Sequence, residues 1–495
     1  MTPEKTSNGS PLLKLEDWWA VWLGGFIFLL GLGPLAGKDL LGWAVTTSTW
    51  VSLSKALAPQ SKTFAGMSGW LSLLLTYLFL LVLTTIGAKC MRWNVGRFIG
   101  GFTIIFFVSY ACWMLGSWGY IAAPPNARPG LGIPWSLNLT AESGFIIAMI
   151  VGLLIGNFWP GLTRYLSEAA RPEWFIKTGI VILGATLGIK FLDAVGLATT
   201  VIIRGLCAIV EAYLIYWPVV YFISRKWFKM TPEWAAPLAS GISICGVSAA
   251  IATGGAIRSR PQVPIIISSV IIVFVAIELL FLPWLAEAWL WKEPLVAGAW
   301  MGLAVKSDGG AVASGAITDA LIRAKALAAM GVKWEKDWIL MVTTTTKVFI
   351  DIFIGIWAFI LAIIWSVYRI DKKGATATKA VGAKVSGIEI WERFPKFVIG
   401  YFGTFVILLL IGLAAPHLVK AAKAGADSAN NIRGIFFVLT FFSIGLATNV
   451  RKLWAEGMGK IVLVYAICLF CFILWVGLFI SWIFYHGILP PTVAG

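Results

Sequence analysis

Residues 237–255 read PLASGISICGVSAAIATGG, and this stretch decides how the rest of the chain is interpreted. It is apolar enough to lie in a membrane, yet it contains four glycines and four hydroxyl side chains. Glycine is costly inside a helix, and a glycine-interrupted membrane helix frees backbone polar groups that need partners. We therefore predict a broken, ligand-facing helix, with close packing through small residues as the alternative. Its candidate substrate-binding residues are Ser240, Ser243, Cys245, Gly246 and Ser248.

A second stretch, residues 302–315, reads GLAVKSDGGAVASG. Lys306, Ser307 and Asp308 come directly before two glycines. Charged side chains at membrane depth are expensive and usually face a cavity or each other. We predict that these three residues bind substrate, and that this stretch meets residues 240–255 near the bilayer midplane. A re-entrant or surface loop in water is the alternative.

Two further pairs of charged residues lie within predicted helices. Lys347 and Asp351 in TTTTKVFID (343–351) are four residues apart and share a helix face. Arg204 and Glu211, seven residues apart, also share a face. We predict that Lys347 binds substrate, and that Asp351, Arg204 and Glu211 serve coupling or form structural ion pairs.

The charges within the predicted spans favour an anionic substrate. Arg204, Lys306 and Lys347 are cationic, and helix N-termini at the breaks present N–H groups that bind anions. The acids Asp308, Asp351 and Glu211 would neutralise these cations or carry coupling protons. A Na⁺ or H⁺ site built on the same acids is the competing interpretation.

Composition places the chain in a membrane. Of its 495 residues 59% are hydrophobic and 13% charged, and the mean hydropathy is +0.87, a balance that excludes an ordinary soluble domain. The net charge of +16 is explained by basic loops on one side of a membrane, and no nucleic-acid partner is expected.

We predict an all-α polytopic membrane protein with thirteen helical spans. Residues 1–125 form a three-span N-terminal extension, 126–291 a first transporter repeat, and 292–495 a second repeat that contains the basic loop 369–396. Five spans per repeat give the repeats opposite orientations, as in an inverted repeat. The excess of Lys and Arg predicts a cytoplasmic N-terminus and an external C-terminus. The predicted spans are 18–34, 66–89, 97–122, 143–158, 175–190, 198–224, 234–255, 262–291, 296–318, 337–368, 394–414, 432–450 and 460–487.

Signals for catalysis are poor. The chain has two histidines, His417 and His486, and no GxxxxGK[ST] phosphate-binding loop. The six cysteines mostly lie in apolar runs; Cys468 and Cys471 have CxxC spacing, but nothing nearby would stabilise a thiolate. We therefore expect no enzyme activity, no cofactor and no metal site. Residues 183–196 and 444–457 are weakly similar without a gap, although they do not respect the five-by-five pairing.

The stretch from Pro237 resembles the signature of the sulfate exporter family of bacterial inner-membrane proteins. Residues 147–161, 173–196 and 436–457 are similar to other spans of that family. The resemblance implies two inverted five-helix repeats with crossing broken helices, as in the cation–proton antiporter and anion transporter superfamily. Two features depart from the family pattern: Lys306-Ser-Asp-Gly-Gly replaces a His-Glu-Val-Ala-Gln type of stretch, and Lys347 stands near an expected Arg.

These observations predict a secondary transporter of a small anion, namely sulfate or a related sulfur oxyanion or sulfonate, with export as the implied direction. The bacterial inner membrane is the expected location, and a homodimer contact would suit the three N-terminal spans. The alternative is a Na⁺- or H⁺-coupled transporter of an organic acid or cation, and the third candidate is a channel or membrane-embedded enzyme.

Overall fold

The computed structural model describes residues 11–123, 127–137, 143–193, 195–257, 259–260, 262–368, 395–448 and 458–493. Most of the predicted basic loop 369–396 lies outside these residues. The described chain is nearly all-helical. Strands β1 (Val45–Thr47) and β2 (Leu57–Pro59) pair antiparallel, with Thr46 opposite Ala58. The first helices are α1 Glu16–Gly31, α2 Gly69–Cys90, α3 Val95–Gly116, α4 Gly119–Ala122, α5 Arg128–Leu131, α6 Ser143–Phe158, α7 Pro160–Leu166 and α8 Pro172–Asp193.

The remaining α-helices begin after the end of α8 and run to the C-terminal region. They are α9 Val195–Gly205, α10 Cys207–Val210, α11 Trp217–Phe222, α12 Pro232–Ser243, α13 Val247–Ala256, α14 Gln262–Leu290, α15 Pro294–Ala304, α16 Asp308–Met330, α17 Trp338–Ile352, α18 Ile354–Tyr368, α19 Lys396–Ala414, α20 Val419–Ala447, α21 Gly459–Cys468 and α22 Leu474–Tyr485. Short 3₁₀-helices and π-helical turns interrupt or flank these helices. The 3₁₀-helices are Pro11–Leu13, Gly33–Ala36, Leu53–Lys55, Lys62–Phe64 and Pro416–Leu418, and the π-helical turns are Glu211–Tyr216, Ile223–Trp227 and Leu469–Ile473.

Every one of the thirteen predicted spans falls on helix. Among the described residues, nine helices are long and apolar enough to cross a membrane, or ten with the pair α6 and α7, which is bent by 118°. The chain is therefore a polytopic helical membrane protein. The predicted spans 175–190, 234–255 and 296–318 are not among these candidates; the last two are each broken into two shorter helices.

The chain divides into two compact units that interleave in sequence. Unit 1 comprises Met1–Val195 and Lys396–Ala447, and unit 2 comprises Gly196–Pro395 and Thr448–Gly495. The division differs from the predicted repeat boundaries, and the two repeats themselves stay a prediction. The three predicted N-terminal spans belong to unit 1.

Unit 1 is held together by close glycine contacts and by ion pairs at helix ends. A Cβ added at Gly184 in α8 would overlap the Tyr401 carbonyl of α19, and one added at Gly445 in α20 would overlap the Met149 carbonyl of α6. These helices therefore pack backbone to backbone. Lys177 Nζ lies 2.9 Å from Asp17 Oδ1, which fixes the start of α1 beside α8.

Unit 2 is built around α14 and two helical hairpins. Hairpin 1 consists of α12, a break at 244–246 and α13; hairpin 2 consists of α15, a break at 305–307 and α16. In hairpin 1 the Thr253 hydroxyl donates to Ser240 Oγ at 2.6 Å, so that α13 folds back on α12. The two ends of this hairpin also meet, with Arg260 Nε 3.0 Å from Glu233 Oε1.

Hairpin 2 folds back in the same way. Its second helix places Lys325 Nζ 2.9 Å from Glu287 Oε1 near the end of α14, which is the end from which α15 departs. Hairpin 1 leads directly into the start of α14, so the hairpins enter from opposite ends of that helix. The prediction that residues 234–255 and 296–318 cross the membrane as broken spans is therefore wrong. Both are re-entrant: contacts between its two arms hold hairpin 1 folded, and the Lys325–Glu287 pair returns the second arm of hairpin 2 to the end of α14 from which its first arm departs.

Candidate functional site

The tips of the two hairpins meet at one lysine. Lys347 Nζ, on α17, donates to the Ile244 carbonyl at 2.8 Å and to the Val305 carbonyl at 3.3 Å. These carbonyls end α12 and α15, where helices carry a partial negative charge. The fully buried ammonium therefore neutralises both helix ends and joins the two breaks. This confirms that the two glycine-rich stretches meet.

The backbones of the tips also touch directly. Gly246 has a φ of +76°, in the region that favours glycine, and a Cβ there would overlap the Lys306 carbonyl oxygen. Hairpin 2 turns without a left-handed residue: Ser307 has a φ of −151°, and its Oγ accepts from Gly310 N at 2.9 Å. Ser307 therefore caps α16, whereas α13 has no side-chain cap.

Lys306 lies at the tip of hairpin 2 and is fully buried. Its ammonium donates to the Leu303 carbonyl and lies 4.4 Å from the centroid of the Tyr216 ring. Two buried carboxylates, Glu211 and Glu278, are close enough to attract it. No side chain of the described residues donates a hydrogen bond to either carboxylate. The Tyr216 hydroxyl beside Glu211 donates instead to the Ile473 carbonyl at 2.8 Å.

A second acidic group lies at the tip of hairpin 1. Cys245 Sγ and one carboxylate oxygen each from Asp308 and Asp351 lie within 4.8 Å of one another, and all three residues are buried. The same geometry would allow a cation to be shared among them. The tips therefore bring together four buried acids and two buried lysines, and a site with this excess of carboxylates needs protons or cations to balance it.

The predicted hydroxyl ligands divide into two groups. Ser240 Oγ accepts from Trp217 Nε1 at 2.8 Å and from Thr253, so it holds hairpin 1 closed. Ser243 is fully buried, and its hydroxyl has no partner among the described residues. Ser248 is half-buried in the first turn of α13. Ser243 and Ser248 therefore remain candidate ligands at the tip, whereas Ser240 and Ser307 have structural contacts of their own.

Arg204 is not brought to the tips. Its Nη1 donates to the Phe484 carbonyl at 2.5 Å near the end of α22, and within the described residues it makes no ion pair with Glu211. The threonines before Lys347 mainly bond within their own helix; Thr343 also donates to the Gly298 carbonyl at 2.8 Å. They serve packing of α17 against hairpin 2.

Glu278 is the site residue that the sequence analysis missed. It is fully buried at the middle of α14, whose most apolar window has a mean hydropathy of 3.0. An ionisable residue in such a helix is a functional candidate by itself. That signal is present in the sequence, but Glu278 lies outside the glycine and hydroxyl clusters on which the predicted site rests.

Re-entrant hairpins that meet inside a helical bundle define a class of membrane protein in which irregular backbone is buried at the centre of one unit. The comparisons with known proteins add the family. A family model described as Conserved hypothetical protein 698 matches residues 135–464. A UPF0324 membrane protein of Nitrosomonas europaea is 41% identical over 490 residues, covering 98% of each chain. The chain belongs to the UPF0324 membrane protein family.

Two further relatives differ in how much of the chain they match. A UPF0324 membrane protein of Rhodopirellula baltica is 30% identical over 433 residues, which is 86% of this chain and 70% of the relative. An uncharacterized protein of Archaeoglobus fulgidus is 46% identical over 173 residues, which is 31% of this chain and 88% of the relative. No solved structure matches the chain.

Proposed function

We propose that this protein is a secondary transporter that moves a small anion together with protons, with the hairpin tips as its binding site. One observation carries the proposal: two re-entrant hairpins enter from opposite ends of α14 and meet at the buried Lys347. Discontinuous helices that meet inside the membrane are typical of secondary transporters.

The charges at the tips support an anion that enters with protons. Lys306 offers a buried ammonium that is not locked in an ion pair within 4.0 Å among the described residues, and α13 presents an N-terminus without a side-chain cap. Four buried carboxylates would repel an anion while they were ionised. Protonation removes that repulsion, so anion and proton would bind together. By its sequence resemblance the substrate is sulfate or a related sulfur oxyanion or sulfonate.

Transport would follow from the separation into two units. Unit 2 contains both hairpins, and unit 1 contains the three N-terminal spans. We propose that unit 2 moves during alternating access while unit 1 is stationary or forms a homodimer contact. The basic segment 225–229 leads into hairpin 1, and Lys229 and Lys460 lie beside Trp234 near its opening. These cations favour a cytoplasmic opening for hairpin 1 and an external C-terminus in the bacterial inner membrane.

Counterflow in proteoliposomes tests the proposal most directly. Purified protein is loaded with unlabelled sulfate, sulfite or an alkyl sulfonate in turn, and uptake of each labelled anion is measured against protein-free vesicles. The expected result is exchange of at least one anion, faster at acidic pH. Lys336→Met, which changes an exposed loop lysine, is the matched control for charge. Absence of exchange with every anion would contradict the proposal.

The acidic group Cys245, Asp308 and Asp351 favours a second candidate, a Na⁺-coupled transporter of an organic acid or cation. Carboxylate oxygens within 4.8 Å of each other suit a hard cation. Counterflow of labelled Na⁺ that is insensitive to every anion tested would favour this function over the first.

Cys245 also tests alternating access. In a variant with the other five cysteines replaced, labelling of this buried thiol by a membrane-impermeant reagent is expected to change with substrate and to occur from either side as the gradient is reversed. Labelling that never changes while the variant transports would contradict a pathway at the hairpin tips.

A further inference from the structure

Unit 2 contains the same hairpin twice. Residues 241–254 and 302–315 align without a gap, and both helices end, break and restart at equivalent positions: α12 and α15 end at Ser243 and Ala304, and α13 and α16 start at Val247 and Asp308. Identical or similar residues fill most of the alignment. The matched pairs are Gly241/Gly302, Ile242/Leu303, Ile244/Val305, Ala250/Ala311, Ile251/Val312, Ala252/Ala313, Thr253/Ser314 and Gly254/Gly315.

The long helix that follows each hairpin is duplicated as well. Helix α14 and the helix pair α17–α18 align around one acidic residue, with Glu278 opposite Asp351. The flanking matched pairs are Val275/Val348, Ile277/Ile350 and Trp284/Trp357. Each copy is therefore a hairpin followed by a helix with a buried acid.

The contacts of the two acids follow the duplication. Glu278 in the first copy attracts Lys306 at the tip of the second copy's hairpin. Asp351 in the second copy lies beside Cys245 at the tip of the first copy's hairpin, and Cys245 is the position equivalent to Lys306 in the alignment. Each acid thus faces the tip of the other copy. Because the hairpins also enter from opposite ends of α14, the copies are related by inversion.

The order of elements differs between the copies. The first hairpin follows the helices 195–227, which contain π-helical turns, whereas the second hairpin precedes its counterpart, the helices 459–485 with a π-helical turn at Leu469–Ile473. The similarity between 183–196 and 444–457 fits this permuted order, since α8 and α20 then correspond. An inverted repeat with a permuted second copy accounts for the similarity of the two hairpins and for the similarity between 183–196 and 444–457.

We infer that Glu278 is the counterpart of Asp351 in one two-fold site, and that its carboxyl group carries the proton that is exchanged in each transport cycle. This inference rests on the proposed function and names its coupling group. Glu278 is fully buried, no side chain of the described residues donates to its carboxylate, and the backbone N–H of Lys306 approaches it. Burial with so few partners disfavours an ionised carboxylate.

The groups that face Glu278 explain how the proton is released. Lys306 and Lys347 attract its carboxylate, Tyr465 presents a phenol to it, and Glu211 competes for Lys306. In the resting state the Lys306 ammonium donates to the Leu303 carbonyl. When that ammonium turns to Glu278, the O–H bond of the carboxylic acid breaks, the proton leaves to water, and the remaining carboxylate is balanced by Lys306.

Glu278→Gln tests the inference, with Glu287→Gln on the same helix as the matched control. Proteoliposomes report uptake driven by an imposed pH gradient and counterflow without a gradient. The ratio of driven uptake to counterflow is expected to fall at least tenfold in Glu278→Gln and to be restored by Glu278→Asp. An unchanged ratio would overturn the inference, as would equal loss of both activities together with a lower unfolding temperature.

Infrared spectroscopy gives a readout that needs no substrate. A band from buried protonated carboxyl groups is expected in the wild type at neutral pH, and its intensity is expected to fall in Glu278→Gln but not in Glu287→Gln. An unchanged band in Glu278→Gln would overturn the inference. Failure of every anion to exchange, with the band assigned to Glu278, would instead contradict the proposed substrate class.

Discussion

The two hairpins share a fold but differ in what holds their tips. Hairpin 1 turns through Ile244, Cys245 and Gly246, with a left-handed glycine and no cap on the following helix. Hairpin 2 turns at the equivalent positions through Val305, Lys306 and Ser307, and Ser307 caps the next helix. One tip is neutral and the other is charged. The same backbone break can therefore be closed by backbone conformation or by a side-chain hydrogen bond.

The tips depend on each other through Lys347. Its ammonium donates hydrogen bonds to the Ile244 carbonyl after α12 and to the Val305 carbonyl after α15. Hairpin 1 also relies on the close approach of Gly246 to the Lys306 carbonyl. Substitutions can separate the support that Lys347 gives to both hairpins from the contacts that support only one of them.

Loss of the shared support is expected to have the largest effect. Lys347→Met leaves two buried carbonyls without their donor and removes the positive charge among the buried acids, so we expect a loss of about 3–5 kcal/mol of stability. Thermal unfolding in detergent, followed by tryptophan fluorescence, measures it. Lys336→Met, at an exposed loop position, controls for loss of a lysine. An unfolding temperature equal to that of the control would show that the tips do not depend on Lys347.

A side chain at Gly246 is expected to destabilise hairpin 1 without affecting the support that both hairpins share. Gly246→Ala forces a Cβ against the Lys306 carbonyl at a positive φ, and we expect a cost of roughly 2–4 kcal/mol from overpacking and backbone strain together. Gly255→Ala is the matched control, since a Cβ there meets nothing within 4 Å and alanine favours the helix. Equal unfolding temperatures for the two variants would contradict the close approach of the tips.

Sequence reasoning located the breaks but not their direction. Glycines and hydroxyls in 237–255 and 302–315 identified both tips and predicted that they meet, because freed backbone groups need internal partners. These glycines and hydroxyls do not show whether each segment crosses the membrane or folds back on itself. The contacts that show the fold-back are Thr253 with Ser240, 13 positions apart, and Lys325 with Glu287, 38 positions apart. No local sequence pattern reveals them.

The sequence likewise predicted only part of the site, because long-range contacts also decide which residues reach the tips. Lys306, Asp308 and Lys347 were found because charge inside an apolar stretch is conspicuous, and the structure brings them to the tips. Arg204 was chosen on the same basis, yet it bonds to the Phe484 carbonyl. Helical spacing shows which residues share a face, but not which neighbour that face meets.

The charged tip should matter for binding more than for folding. Lys306→Gln removes the ammonium proposed to meet the anion, and we expect roughly a tenfold weaker affinity, equivalent to about 1.4 kcal/mol. Saturation of counterflow measures the change. Lys336→Met, at an exposed loop position, is the matched control for loss of a lysine. If Lys306→Gln instead lowers the unfolding temperature and Glu278→Gln restores it in the double variant, Lys306 is a structural counter-ion.

Substitutions at the open ends of the hairpins are expected to change stability least. Glu233, at the start of hairpin 1, is partly exposed and accepts from Arg260 N at 2.8 Å and Arg260 Nε at 3.0 Å. Burial tends to raise the pKa of Glu233, but these two hydrogen bonds and the Arg260 charge outweigh it, so the pKa lies below its usual 4.5. Because the pKa of Glu233 is lower in the folded than in the unfolded state, the ion pair stabilises the folded protein at pH values above the usual pKa. This stabilisation is lost as the pH falls through the pKa of the folded state.

Glu233→Gln should therefore cost about 0.5 kcal/mol or less at neutral pH, as for other exposed pairs, and the difference from wild type should vanish under acidic conditions. Unfolding temperatures at both pH values measure it. Glu287→Gln breaks the Lys325 pair of hairpin 2 and is expected to cost a similar amount at neutral pH. A much larger cost at one opening would show that this hairpin is closed from its base, whereas equally small costs place the closure of both hairpins at the tips and along their packed arms.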